Sequence, residues 1–150
     1  ELLGMGAKIV VIKLGDQGLY LRTGGSADLA RMGRGGGSAG AGVEVWSERE
    51  MWSACYRVEE VGTTGSGDAT IAGFLSGLLR GLTPEEAVDV GVAVGACNVE
   101  AADSLSGLRS WEETLARIAA GWPHRPLRLD EPGWSETRPG LWEKQKTEKA

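Results

Sequence analysis

The sequence predicts a single α/β domain, and three observations indicate this class. An apolar, β-branched run near the start is followed by a turn and a second apolar run, which is typical of a strand pair. Helical patterns with apolar faces follow from residue 71 onward. The length of 150 residues and the hydrophobic fraction of 41% suit one globular domain of ordinary size.

The charge balance excludes two classes of partner. The chain carries 16 Lys and Arg against 21 Asp and Glu, a net charge of −5, so it lacks the basic excess of nucleic-acid or anionic-membrane surfaces. No apolar stretch approaches the roughly 20 residues of a membrane span. We therefore expect neither a nucleic-acid nor a membrane partner.

The cysteines and the single histidine are not expected to form a reactive site. Cys55 and Cys97 lie far apart without a C-x-x-C partner, which favours two small buried thiols in a cytoplasmic protein over a metal site. His124 lies in a Pro- and Arg-rich stretch and is expected on a surface loop. No metal ligand is assigned.

The first elements form a predicted hairpin. Lys8–Leu14 is almost continuously apolar, which favours a strand covered on both faces. Gly15–Gly18 is a tight turn, and Gly18–Arg22 is the second strand. Residues Gly24–Gly42 are predicted to be a loop, flexible over the glycine-rich tract Gly33–Gly42.

The spacing of a dinucleotide-binding motif occurs in that tract, as expected by chance where glycine is so frequent. Gly35, Gly37 and Gly40 have G-x-G-x-x-G spacing, but no strand precedes them. We therefore assign no ligand to it. Strand composition returns in Val43–Trp46 and Met51–Val61, and we expect the side chains of Tyr56, Val58 and Val61 to pack inward.

Three helices are predicted in the second half. The first is expected to bury one stripe and to end at Arg80-Gly81; the stripe is Ile71, Phe74, Leu75, Leu78, Leu79 and Leu82. The second starts with a capping box formed by Thr83 and Glu86 and continues to Cys97. The third starts with a capping box at Ser110 and stops at Gly121, and its inward residues are predicted to be Leu115, Ile118 and Ala119.

We divide the chain at the end of the third helix. Residues 1–122 form the predicted folded part. Four prolines interrupt the pattern in residues 123–150, so this tail is expected to be extended or mobile, docked through Trp134 and Trp142.

The loop Gly62–Asp68 carries the predicted chemistry, because it lies between a strand and a helix. The backbone amides of Gly65, Ser66 and Gly67 fall at the helix N-terminus, where unpaired donors and the helix dipole attract an anion. Asp68 falls in the first helical turn and is expected to stay ionised. It could act as a base on a hydroxyl while the amides hold a phosphoryl group.

The loop alone leaves two interpretations equally supported. Asp68 is either this base or merely a favourable first-turn residue. The loop is not a Walker A motif, because Asp68 occupies the region of the lysine. Lys13, at the end of the first strand, either reaches a nucleotide phosphate or is a solvated lysine.

The motifs resemble the PfkB (ribokinase-like) carbohydrate kinase family over roughly residues 5 to 120. Thr63–Ala69 followed by Ala72-Gly73-Phe74 resembles the family signature Asp-Thr-Thr-Gly-Ala-Gly-Asp and its Ala-Gly-Phe-like continuation. Val11–Gly18 is similar to the strand and turn over the nucleotide phosphates, and Gly91–Ala96 to the small-residue helix beside adenine.

The resemblance implies a fold and a set of roles. The fold is a ribokinase-like three-layer α/β/α sandwich, of which this chain is the C-terminal, nucleotide-binding portion. The activity is transfer of the ATP γ-phosphoryl group, with Mg²⁺, to an alcohol of a sugar or related small molecule. The implied base is Asp68, and the anion hole is formed by the amides of Gly65, Ser66 and Gly67. The residues implied to border ATP are Lys13, Gly15 and Gly18 at the phosphates and ribose, and Val92 and Ala96 at adenine.

Departures from the family pattern limit these expectations. The leading acid of the signature, which helps to bind an activating monovalent cation, is Gly62 here. The N-terminal half of the family, with its sugar-binding residues, is not found in this sequence. We therefore expect the chain alone to be inactive and a homodimer, if formed, to use the absent half. A non-catalytic nucleotide- or anion-binding module, a truncated remnant, and a nucleoside or vitamin-precursor kinase are the alternatives.

Overall fold

The computed structural model describes residues 1–35 and 42–145. Within them, a five-stranded sheet has the order β1-β2-β3-β5-β4, and every neighbouring pair is antiparallel. The strands are β1 (Ile9–Lys13), β2 (Leu19–Thr23), β3 (Glu50–Ser53), β4 (Trp134–Arg138) and β5 (Leu141–Lys144). The helices are α1 (Ser26–Leu29), α2 (Val43–Trp46), α3 (Ser66–Leu79), α4 (Pro84–Asn98) and α5 (Trp111–Ala119). None of these described helices is long and apolar enough to cross a bilayer.

The predicted N-terminal hairpin is confirmed, but the burial of its first strand is not. β1 pairs antiparallel with β2, and a 3₁₀ turn over Gly15–Gln17 joins them. Gly18 closes the turn at φ 104°, and a Cβ there would collide with the carbonyl of Ser53, so only glycine fits. β1 is an edge strand of the described sheet, which leaves Ile12 exposed instead of covered on both faces.

Two predictions between β2 and β3 are wrong. Val43–Trp46, predicted as a strand, is one helical turn, and Ser26–Leu29 is helical within the predicted loop. The cause at α2 is tertiary: Trp46 is fully buried and its indole Nε1 donates a hydrogen bond to the carbonyl of Leu82, 3.2 Å away. Gly37 and Gly40, with most of the glycine-rich tract, lie outside the described residues.

The helices α3 and α4 pack closely through small residues. A Cβ built on Gly73 would lie 2.9 Å from Cβ of Val94, so the two backbones approach because no side chain separates them. The buried residues of α3 are Ala69, Gly73, Phe74, Gly77 and Leu78. The predicted stripe is therefore only partly right: Leu75 is 45% and Leu79 64% exposed. Hydropathy spacing misses this face because glycine carries no hydropathy signal.

The predicted starts of α4 and α5 are confirmed. Thr83 accepts a hydrogen bond from the amide of Glu86, whose carboxylate accepts one from the Thr83 amide, and Ser110 and Glu113 form the same box. The inward face of α5 differs from its prediction. Thr114 is buried and Ile118 packs against the core, but Leu115 and Ala119 are exposed.

The part of the tail that the structure describes contributes two strands to the sheet. β5 pairs with β3, placing Trp142 opposite Trp52, and Trp134 lies edge-on to Trp52 with ring centroids 6.4 Å apart. The docking through these two tryptophans follows the prediction, while the strands themselves were not predicted. The turn Pro139-Gly140 allows the hairpin, with Gly140 at φ 77°. Division of the chain at residue 122 stays a prediction.

Two residues take positions opposite to those expected. His124, expected on the surface, has a side chain only 12% exposed, and its ring lies 4.0 Å from that of Tyr56. It is buried because residues 122–125 pair with the segment after β3, an interaction that spans almost 70 positions in the chain. Val61, expected inside, is 59% exposed, whereas Tyr56 is buried and Val58 packs against the core.

Candidate functional site

A cleft of about 350 Å³ lies between the β1–β2 turn, the N-terminus of α3, the middle of α4 and the segment after β3. Seven of the nine residues singled out in the sequence line it, although they come from three separate parts of the chain. They are Lys13, Gly15, Gly18, Ser66, Gly67, Val92 and Ala96. Gly65 and Asp68 are not among its lining residues.

The N-terminus of α3 starts without a side-chain cap. Gly65 is the N-cap, in the left-handed region at φ 79°, and a Cβ there would lie 2.7 Å from Cβ of Ser104. The amide of Ser66 donates to the carbonyl of Thr63 at 3.2 Å. The amides of Gly65 and Gly67 have no acceptor within residues 1–35 and 42–145. Two of the three predicted anion-hole donors are therefore free in this structure.

The side chain of Lys13 lies over this helix start. A Cβ built on Gly67 would be 2.5 Å from Lys13 Nζ, so the ammonium rests where a larger residue would stand. Lys13 has no ion-pair partner in the described part of the chain. A cation beside the positive end of a helix dipole is unfavourable unless an anion joins them. The arrangement can therefore hold an anionic group between the ammonium and the free amides.

Asp68 lies in the first turn of α3, one residue beyond Gly67. Its side chain is exposed and has no hydrogen-bond or ion-pair partner among the residues described. Asp68 thus follows a residue that lines the cleft, Gly67, but does not line the cleft itself.

The opposite side of the cleft is apolar. Val92 and Ala96 are 2% and 6% exposed, and both lie on the small-residue stretch of α4. Gly95 between them has room only for hydrogen, because a Cβ would collide with the hydroxyl of Thr70, which donates to the carbonyl of Ser66 at 2.8 Å. This wall can receive a flat apolar group.

Although Asp16, Thr63 and Gly95 lie inside the quoted motifs, ten of the residues that line the cleft had no role predicted from the sequence. They are Asp16, Cys55, Tyr56, Val58, Glu60, Thr63, Thr70, Gly95, Val99 and Arg125. Most lie within a few positions of a predicted motif, so a wider window around each motif would have found them. Arg125 is the exception, because no local pattern connects it to the cleft.

The thiol of Cys55 faces the β1–β2 turn. Its Sγ donates a hydrogen bond to the carbonyl of Gly15 at 3.4 Å. Burial raises the pKa of this thiol, and also that of Cys97. Both cysteines therefore stay protonated near neutral pH, as expected for unreactive thiols. The described residues contain no group of three or more His, Cys, Asp and Glu able to hold a metal ion.

The end of α4 and the loop that follows it contact the loop before α3, residues 61–65. Fully buried Asn98 donates through Nδ2 to the carbonyl of Ser104 at 2.7 Å, and Ser104 is the residue that contacts Gly65. The amides of Val61 and Gly62 both donate to the carbonyl of Val99, at 2.8 and 3.2 Å. Asn98 thus positions the helix start from the opposite side.

The pfkB family carbohydrate kinase profile matches residues 1–110, which contain all of the predicted site residues. The chain belongs to the pfkB family of carbohydrate kinases. A relative, the 2-dehydro-3-deoxygluconokinase of Bacillus subtilis (strain 168), is 35% identical over 115 residues, which make up 77% of this chain and 29% of that protein. The chain thus spans less than a third of this relative.

Solved structures agree with the family. A ribokinase from Thermotoga maritima is similar with a TM-score of 0.57 and 27% identity, covering 78% of this chain and 32% of that one. An aminoimidazole riboside kinase from Salmonella enterica, complexed with aminoimidazole riboside and an ATP analogue, is similar with a TM-score of 0.54 and 26% identity, covering 77% and 33%. The predicted ribokinase-like α/β fold is confirmed.

This pfkB family chain departs from the family signature at Gly62. A Cβ there would lie 3.0 Å from the carbonyl oxygens of both Ala101 and Ala102, so these carbonyls close around a residue that supplies no carboxylate. The carboxylate that the family resemblance links to a monovalent cation is therefore lacking at this position.

Proposed function

We propose that this chain forms the nucleotide-binding part of a kinase that transfers the ATP γ-phosphoryl group to an alcohol of a carbohydrate or related small molecule. The observation that carries the proposal is Lys13 Nζ lying over Gly67, beside free amides, at one end of a cleft whose other side is apolar. The ATP analogue in the similar riboside kinase supports the choice of nucleotide.

Each part of the cleft has a proposed role toward ATP. The polyphosphate lies against the amides of Gly65 and Gly67 and the Lys13 ammonium. The Ser66 amide, which donates to the carbonyl of Thr63 in this structure, completes the anion hole by giving up that bond. The glycines of the β1–β2 turn, Gly15 and Gly18, let the backbone approach the phosphates and ribose. The adenine ring lies against the apolar side chains of Val92 and Ala96.

Asp68 is the proposed general base. Its carboxylate takes the proton of the acceptor hydroxyl as that oxygen attacks the γ-phosphorus. The new O–P bond forms while the bond to the β–γ bridging oxygen breaks, and ADP carries away the electron pair. The exposure of Asp68 outside the cleft suits this role, because the acceptor then approaches the γ-phosphate from the side opposite to ADP.

Mg²⁺ is expected to arrive bound to the nucleotide. This ion prefers phosphate oxygens, waters and one or two carboxylates over a cage made of protein groups. The ion would neutralise charge on the phosphates, and we assign no residue of this chain as its ligand.

The decisive experiment compares binding and turnover in the intact protein. Asp68→Asn is expected to lower turnover at least about a hundredfold, because the general base is lost. ADP binding, measured by calorimetry, is expected to stay unchanged because Asp68 does not line the nucleotide cleft. Candidate acceptors begin with 2-dehydro-3-deoxygluconate, ribose and aminoimidazole riboside, the compounds that the similar proteins are named for.

The control is Asp130→Asn, an exposed acid that does not line the cleft, and it should leave turnover unchanged. Near-normal turnover of Asp68→Asn would overturn the base assignment. A wild-type protein that binds ADP but phosphorylates no alcohol would favour the non-catalytic nucleotide-binding alternative.

A further inference from the structure

A segment outside the family match forms one wall of the cleft. Residues 122–125 run antiparallel to the segment after β3. The amide of Arg125 donates a hydrogen bond to the carbonyl of Cys55 at 2.6 Å, and the amide of Arg57 donates one to the carbonyl of Pro123 at 2.8 Å. The family profile ends at residue 110, so this wall lies beyond the residues that the profile matches.

Aromatic stacking fixes the position of the segment. The ring of Tyr56 stacks on Trp122 with centroids 4.4 Å apart and on His124 at 4.0 Å. The indole Nε1 of Trp122 donates to the carbonyl of Arg57 at 2.7 Å. Because Tyr56 is itself buried and lines the cleft, the segment is held in register with the site.

Arg125 extends from this segment into the lining of the cleft. It is half-buried and forms no ion pair with any carboxylate in residues 1–35 and 42–145. The acids Asp16 and Glu60 line the same cleft without pairing with it. A half-buried guanidinium whose donors engage no described protein group is able to bind an anion that enters this cleft.

The geometry places Arg125 beside the same turn as Lys13. Lys13 lies two residues before Gly15, and Cys55, the backbone partner of Arg125, donates to the carbonyl of Gly15 from the other side. Lys13 and Arg125 thus both line the cleft, and both belong to segments that meet at this turn, whereas Val92 and Ala96 line it from α4. We infer that Arg125 binds a phosphate group of the nucleotide, a role that rests on the proposed function of the cleft.

The test measures the binding of ADP and adenosine to the intact protein by calorimetry. Arg125→Gln, which keeps the length and removes the charge, is expected to weaken ADP about tenfold, as befits a lost charge-assisted hydrogen bond. Adenosine binding should be unchanged, because adenosine carries no phosphate. Arg125→Lys should recover part of the ADP affinity.

The matched control is Arg128→Gln, three residues further along, exposed and outside the lining of this cleft. It should change neither affinity. If Arg125→Gln binds ADP as tightly as wild type, or weakens ADP and adenosine equally, the inference is wrong while the proposed function stands. If the wild type binds neither compound, the proposed function itself fails. Thermal unfolding of each variant separates loss of fold from loss of binding, and Arg125→Lys supplies the same comparison if the glutamine variant unfolds.

Discussion

The helices α3 and α4 lie against each other but begin in opposite ways. At α4, the side chains of Thr83 and Glu86 satisfy the backbone groups of the first turn. At α3, Gly65 offers no side chain, and two amides stay unpaired beside the Lys13 ammonium. Unsatisfied donors cost free energy in a half-buried position, and the unpaired start of α3 is therefore consistent with the anion site proposed above. A capped start, by contrast, serves stability alone.

The largest effect is expected at Gly65. Gly65→Ala must adopt a left-handed backbone and bring its Cβ within 2.7 Å of Ser104, so we expect a loss of at least about 1–2 kcal/mol in the free energy of unfolding. ADP binding should weaken as well, because the start of α3 shifts. Chemical denaturation and calorimetry measure the two effects.

Gly121→Ala is the matched control for this prediction. Gly121 has a similar φ of 82° but open space around its Cα, so its variant carries the backbone cost without a collision. It should lose less stability and keep its ADP affinity. Equal losses in the two variants would show that the contact with Ser104 does not matter.

At the capped start of α4, we expect a substitution to change stability but not ADP binding. Thr83→Ala removes the hydrogen bond to the Glu86 amide and should lower the free energy of unfolding by about 1 kcal/mol. ADP binding, measured under the same conditions, should be unchanged because this helix start does not line the cleft. A drop in ADP affinity would contradict the proposal that the start of α4 only stabilises the fold while the start of α3 binds the ligand.

The smallest effect concerns the capping box of α5. The hydrogen bond from the Ser110 backbone amide, together with its hydroxyl, lowers the pKa of Glu113. A depressed folded-state pKa means that the stabilisation is present above the unfolded value of about 4.3 and is lost as pH falls through the folded value. Glu113→Ala should therefore melt below wild type at neutral pH, and the gap should narrow as pH falls below about 4.3. A gap independent of pH would contradict the assignment.

The comparison also explains which parts of the structure could be predicted. Both capping boxes were predicted because four consecutive residues contain all of the groups involved. Seven of the seventeen residues that line the cleft could be predicted, because they belong to local motifs, as Lys13, Gly67 and Val92 do. The roles of these residues, and that of Asp68, stay predictions.

The parts that failed depend on contacts between distant segments. The burial of His124 follows from its pairing with Tyr56, and the helical turn at Val43–Trp46 follows from the burial of Trp46. The misplaced face of α3 has a different cause. There, Gly73 allows α4 to approach so closely that packing density outweighs the hydropathy of Leu75.

The position of β1 at the border of the sheet has a consequence for handling this protein. One side of Ile9–Lys13 presents backbone donors and acceptors that no strand of the described chain engages, next to the exposed side chain of Ile12. Such a border is a template for another extended chain, so copies at high concentration are prone to associate through it. A charged residue in place of Ile12 would discourage that self-association without entering the nucleotide cleft.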